Sequence, residues 1–283
     1  MLPKRKVSII PSLFTLGNLL CGLGSIWHAS KALALVQGAE MPGRIQSGND
    51  ALLVAAWLIF LGMVFDSFDG QIARLTGSVS QFGKELDSLA DMITFGVAPA
   101  FLIEVLSFNN ADMFGVIHSR ERMLLSAAYA VFAALRLAKY NVDATDKIKT
   151  GSRYFNGLPS PAAAGILAAL VLVFCRVQYS SSDFANILMQ WSPIIAAAIG
   201  ILMVSGLKFP HFGNFIVRSK LSFQNMVVAA AVILLLIFLR EYMLFSGFVA
   251  YLLVSVVIAV IKLFKRDDDV LPIEENDPDE VDE

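Results

Sequence analysis

Charge is scarce in this chain. Only 16% of its 283 residues are Asp, Glu, Lys or Arg, against about 25% in a soluble domain. Apolar residues fill the deficit at 57%, where a soluble domain carries about 45–50%. With a mean hydropathy of +0.67, the composition argues against a water-soluble enzyme and points to a membrane protein. Cysteine is scarcer still. Cys21 and Cys175 each sit inside an apolar stretch and offer neither zinc-ligand spacing nor a disulfide framework. They are expected to be small buried residues. A cleavage site is missing too. Lys4, Arg5 and Lys6 lead into an apolar stretch with no small-residue cleavage site after it. The first segment is therefore expected to be a retained helix.

What is present is a series of long apolar runs. A spanning helix needs about 20 mainly apolar residues. Eight stretches qualify: 9–30, 51–75, 82–107, 121–140, 159–178, 187–206, 223–240 and 243–264. Little more than Arg240, Glu241 and Tyr242 separates the last two, which form either a tight hairpin or one long bent helix. The expected fold is all-α, a polytopic transmembrane helix bundle. No internal repeat or separate soluble domain is evident. Residues 1–266 are expected to form a single membrane-embedded domain and 267–283 a solvated, disordered tail. That tail holds ten acidic residues and no basic ones, with Pro272 and Pro278 among them.

The tail hides a positive balance. The formal net charge is −2, but without the tail 22 basic residues face 14 acidic ones. With the N-terminus inside, sixteen of the 22 basic residues fall on inner segments and six on outer ones. The positive-inside rule then puts both termini in the cytoplasm, although Arg120 and Arg122 run against the trend. No nucleic-acid partner is expected.

Four carboxylates stand out because they lie where solvent is absent. Asp66 and Asp69 fall in the second stretch, Asp87 and Asp91 in the third. A carboxylate at membrane depth costs at least ~2.5 kcal/mol and is a functional candidate by default. Spacings of three and four residues stack each pair on one helical face. If the two helices fold as a hairpin about Ser78, Asp69 and Asp87 lie at one depth and Asp66 and Asp91 at another. At 1.5 Å per residue these depths are roughly 14 and 19 Å from the turn. Four close negative charges need positive partners. No histidine or cysteine lies nearby, so an all-oxygen ligand set favours Mg2+, Mn2+ or Ca2+ over zinc. Two such ions would neutralise four carboxylates and leave sites for phosphate oxygens. Gly70 and Gly83 weaken their helices and fit either close approach of a ligand or helix–helix contact. Arg74 fits either a phosphate or the membrane interface.

Residues 66–91, DSFDGQIARLTGSVSQFGKELDSLAD, carry D-x-x-D-G-x-x-A-R-x8-G-x-x-x-D-x-x-x-D with all eight specified residues in place. The segment resembles the CDP-alcohol phosphotransferase family. The resemblance implies a six-helix membrane core, here with two further helices, and a homodimer. It implies two divalent metals held by Asp66, Asp69, Asp87 and Asp91, with Asp91 also the general base. Around the CDP moiety it places Asn18, Gly70, Ala73, Arg74 and Gly83. IPSLFTLGNLLCG (10–22), ALRLAKYNV (134–142) and YFNGLPSPAAAG (154–165) are similar to the branch of that family that uses serine. Ser12 and Lys139 differ from the asparagine and arginine frequent there.

The implied reaction joins CDP-diacylglycerol to L-serine, giving phosphatidylserine and CMP at the cytoplasmic face. A serine site needs a cation for the carboxylate. Arg136, Lys139, Asn141 and Arg153 are the acceptor-site candidates. Plain positive-inside flanking is the other reading of the three cations. For Asn141 it is a helix C-terminus, and Pro159 and Pro161 fit the start of a helix. Glycerol 3-phosphate, inositol phosphate or choline is the alternative acceptor. A divalent-metal transporter is the alternative outside enzymes, although such proteins show two related halves and only one site is evident here.

Overall fold

The computed structural model describes residues 9–37, 42–75, 80–108, 118–150, 157–178, 182–205 and 240–265. Among them every regular element is helical. In chain order these are α1 (Ile9–Gln37), α2 (Pro42–Leu75), α3 (Gln81–Asp91), a π-helical stretch (Met92–Val97), α4 (Ala98–Phe108), α5 (Ser119–Thr150), α6 (Ser160–Val177), α7 (Ser182–Val204) and α8 (Arg240–Lys265). Among the described residues, five apolar runs are long enough to cross a bilayer: Gly43–Ile72, Gln81–Phe108, Arg120–Val142, Ser160–Val177 and Asp183–Val204. The protein is a polytopic membrane helix bundle. The expected span at 223–240 and the acidic tail lie outside the described residues.

Helix α6 is the hub. Its side chains are small or aliphatic and almost all buried, with α2, α4, α7 and α8 packed around it. Small residues let helix backbones approach closely. The approach is tightest where Phe248 of α8 lies on Gly165, at a place where a Cβ would strike the ring. The outer surface shows the reverse pattern. Leu13, Leu16, Leu20, Leu23 and Trp27 form an exposed apolar stripe along α1, a face suited to hydrocarbon. Cys21 and Cys175 are buried and unpaired, as expected.

Two prolines inside helices shape the bundle. A helical proline has no N–H for the carbonyl four residues back and crowds that carbonyl. For Pro193 of α7 the carbonyl is that of Met189, and Ser192 Oγ donates to it at 2.7 Å. For Pro99 of α4 it is that of Phe95, and the Tyr129 hydroxyl of α5 donates to it at 2.9 Å. Just before Pro99 the chain widens into the π-helix, with the Ala98 N–H reaching the Ile93 carbonyl. Hydropathy alone predicts one uninterrupted helix over 82–107. Pro99 is the signal that the ladder must open.

Two further observations refine the charge and helix readings. Arg122, assigned by charge counting to an outer segment, is a buried residue of α5. Its guanidinium donates to the Ser107 carbonyl and lies over the Phe108 ring, 5.9 Å from the centroid. The last carbonyls of a helix lack partners within it, so Arg122 caps α4. This role explains why it stands against the charge asymmetry. Arg122→Ala leaves a buried acceptor unsatisfied, at a cost of about 1–3 kcal/mol. Thermal unfolding in detergent is expected at a lower temperature than for the parent protein, with turnover at low temperature retained. The second concerns α5, which runs to Thr150 rather than ending near 140. Asn141 therefore lies within a helix and not at its C-terminus.

Candidate metal and phosphate site

Two helices converge on one layer of carboxylates. Helix α2 brings Asp66 and Asp69 on one face, and α3 brings Asp87 and Asp91 on one face. Oxygens of Asp66, Asp69 and Asp87 lie within 4.8 Å of one another. Asp91 lies within electrostatic reach of all three. Carboxylates this close repel one another unless a proton or a cation sits among them. Asp87 Oδ1 is buried and has no hydrogen-bond partner among the described residues. An orphaned carboxylate oxygen in a ligand set without nitrogen or sulfur fits a hard divalent cation.

The start of α3 is set by Ser80, whose Oγ accepts the Gly83 N–H at 2.9 Å. This is an N-cap, and it fixes where Asp87 and Asp91 fall along the helix. Gly83 packs against that serine, 3.1 Å from where a Cβ would stand, with no neighbouring helix within 4 Å of that point among the described residues. Gly70 is exposed beside the buried Asp69. The side chains of Ala73 and Arg74, and the whole of Arg153, lie outside the described residues.

Helix α1 supports the carboxylates from below. Thr15 Oγ1 donates to Asp69 Oδ2 at 2.9 Å. Asn18 Nδ2 donates to Asp91 Oδ1 at 3.0 Å, and the Asn18 carbonyl accepts from Thr94 Oγ1 at 2.9 Å. Asn18 is fully buried against the carboxylates. Two glycines allow this layering. A Cβ on Gly22 of α1 would stand 2.5 Å from Thr94 Oγ1, and one on Gly62 of α2 would stand 2.6 Å from Thr94 Cγ2. Thr94 and Gly62 carry no motif, and Gly22 closes the 10–22 stretch with no role assigned to it. A glycine in an apolar helical run is their one visible signal.

On another side of Asp91 stands Arg136 of α5. Its NH1 donates to Ser160 Oγ at 2.8 Å, and Asp91, Tyr129, Tyr140 and Tyr251 lie within its electrostatic reach. Its Nε is buried with no hydrogen-bond partner among the described residues. Ser160 opens α6, with Pro159 at the cap and Pro161 in the first turn, the helix start expected of those prolines. A guanidinium beside a helix N-terminus, where the backbone adds partial positive charge, suits a carboxylate or a phosphate. Lys139 is exposed one turn further on. Asn141 Nδ2 donates to Ser88 Oγ at 3.0 Å, which ties α5 to α3 between Asp87 and Asp91. Tyr129 and Tyr251 are invisible to motif reasoning, because an aromatic residue on an apolar helix looks like core.

Comparison with known proteins agrees with this geometry. Residues 8–264 match the CDP-alcohol phosphatidyltransferase family. The chain is 29% identical over 254 residues to a CDP-diacylglycerol–serine O-phosphatidyltransferase of Helicobacter pylori, covering 89% of this chain and 91% of that protein. It is 33% identical over 206 residues to the Bacillus subtilis protein of that name, covering 73% and 92%. With the Methanocaldococcus jannaschii protein of that name it shares 37% identity over 171 residues, covering 60% and 71%.

Proposed function

The chain belongs to the CDP-alcohol phosphatidyltransferase family, and from that membership we propose that it transfers the phosphatidyl group of CDP-diacylglycerol to L-serine, giving phosphatidylserine and CMP. The names of its relatives support serine as acceptor. The observation that carries the proposal is the carboxylate layer, in which oxygens of Asp66, Asp69 and Asp87 lie within 4.8 Å of one another. Asp91 and Arg136 are within electrostatic reach of each other beside it, which suits a small molecule bearing both a hydroxyl and a carboxylate.

Asp66, Asp69, Asp87 and Asp91 would hold two divalent cations, Mg2+ or Mn2+, with Ca2+ also compatible with the ligand set. Those ions supply the positive charge that a pyrophosphate needs as negative charge builds on it. Gly70, Ala73, Arg74 and Gly83 would border the CDP moiety. Arg136, aided by Lys139 and Arg153, binds the serine carboxylate. Asp91 takes the proton of the serine hydroxyl. The hydroxyl oxygen forms its bond to the lipid-side phosphorus as the bond to CMP breaks in line. Asn18 keeps Asp91 turned toward the acceptor, and Asn141 holds α5 at its distance from α3. The charge distribution supports a site facing the cytoplasm, with both termini on that side. Residues 1–266 would form the catalytic domain, 267–283 a solvated tail, and two copies a homodimer within membrane lipid.

An acceptor screen tests the proposal. Purified protein with CDP-diacylglycerol and Mg2+ should release CMP with serine, and not with glycerol 3-phosphate, inositol phosphate or choline. Within that assay Arg136→Ala should raise the KM for serine at least ~10-fold, the worth of about 1.4 kcal/mol of charge-assisted binding. The KM for CDP-diacylglycerol should change less. Equal changes in both would remove Arg136 from the acceptor site.

A further inference from the structure

Asp91 is the last residue of α3, and the π-helix begins at the next residue. Its direction therefore depends on how that widened turn is held. Three groups outside α3 bear on it. Thr94, inside the turn, donates to the Asn18 carbonyl, and Asn18 in turn donates to Asp91. Gly22 and Gly62 let Thr94 seat close against α1 and α2, where any Cβ would strike it. The remaining tie comes from α5, where the fully buried Tyr129 gives its hydroxyl to the Phe95 carbonyl. The Pro99 ring denies that carbonyl its ordinary helical donor. Gly200 of α7 lets Tyr129 sit close, with its Cα 3.2 Å from where a Cβ would be.

We propose that Tyr129 is a positioning residue for phosphoryl transfer: by bonding the carbonyl that Pro99 frees, it holds the π-turn in the register that aims Asp91 at the acceptor hydroxyl. Wide turns of this kind recur at functional sites. They rotate one part of a helix against the other by about one residue. Without the hydroxyl, the turn can relax toward α-helical winding or swing the Phe95 carbonyl elsewhere. Either change moves Asp91 while leaving its chemistry intact. The proposal rests on Asp91 acting on the acceptor, and it adds a residue that touches neither substrate nor metal.

The test separates aim from mere filling of a hydrogen bond. Tyr129→Phe should lower kcat at least ~10-fold, on the scale of the ~10²-fold that an ångström of misplacement costs. The KM values for CDP-diacylglycerol and serine should stay within about twofold. Pro99→Ala added to Tyr129→Phe returns a backbone donor to Phe95. The double variant should regain thermal stability yet remain at least ~10-fold slow, because nothing then enforces the wide turn. Two results would overturn the proposal: a kcat for Tyr129→Phe within twofold of the parent, or recovery of kcat together with stability in the double variant. The parent protein runs alongside. Failure of its serine-dependent CMP release would count against the assigned reaction, whereas parent activity with an unaffected Tyr129→Phe counts only against Tyr129.

Discussion

Asp91→Asn is expected to lower kcat by ~10² or more, the usual worth of a general base. The substitution keeps the shape of the side chain and one oxygen. That oxygen can still accept from Asn18, which lies 3.0 Å from Asp91 Oδ1. What disappears is the capacity to take a proton from the acceptor hydroxyl. Affinity for CDP-diacylglycerol should change much less, because Asp66, Asp69 and Asp87 keep their grouping within 4.8 Å. Asp69→Asn is the contrast. Its carboxylate belongs to that group, so its loss should weaken metal binding, and a higher metal concentration should restore part of the rate. Steady-state kinetics across a metal titration reads both variants. If excess metal returned Asp91→Asn to the parent kcat, Asp91 would be a ligand and not the base.

Chelation carries the second large effect. After exhaustive dialysis against EDTA, turnover is expected to fall to background, and Mg2+ or Mn2+ should restore it. The cause is electrostatic. Four carboxylates within electrostatic reach of one another, one of them with a buried oxygen that has no donor among the described residues, present negative charge where a pyrophosphate has to bind. A pyrophosphate cannot enter that field unless cations offset it. Zinc is not expected to serve as well, since the group contains no nitrogen or sulfur ligand. Full activity in excess chelator would remove the metal from the mechanism.

The parts of this site that sequence discloses are those that conflict with their surroundings. Aspartates inside apolar runs cannot be explained by solvation, and helical periodicity puts residues spaced by three and four on shared faces. The hairpin pairing of Asp69 with Asp87 and of Asp66 with Asp91 follows from helical rise alone, and in the folded bundle Asp66, Asp69 and Asp87 of the two helices do meet. Features that agree with their surroundings stay hidden. Thr94, Tyr129 and Gly62 are ordinary residues for a buried helix, and only the backbone path around Pro99 gives them meaning. Arg122 misleads because a charge count treats every cation near a span end as a flank, whereas this one is buried on the last carbonyls of α4. Asn141 misleads because the apolar stretch stops near 140 while the helix itself continues in polar sequence. Hydropathy measures the membrane, and helices can outlast it.

The most direct measurement is incorporation of isotopically labelled serine into lipid by the purified protein in detergent with CDP-diacylglycerol and Mg2+. Asp91→Asn serves as the blank. The parent protein should form labelled phosphatidylserine and CMP in equal amounts, and Asp91→Asn should form neither above ~1% of that rate. CMP release without labelled lipid, or labelled lipid formed equally well by Asp91→Asn, would contradict serine transfer at this carboxylate layer.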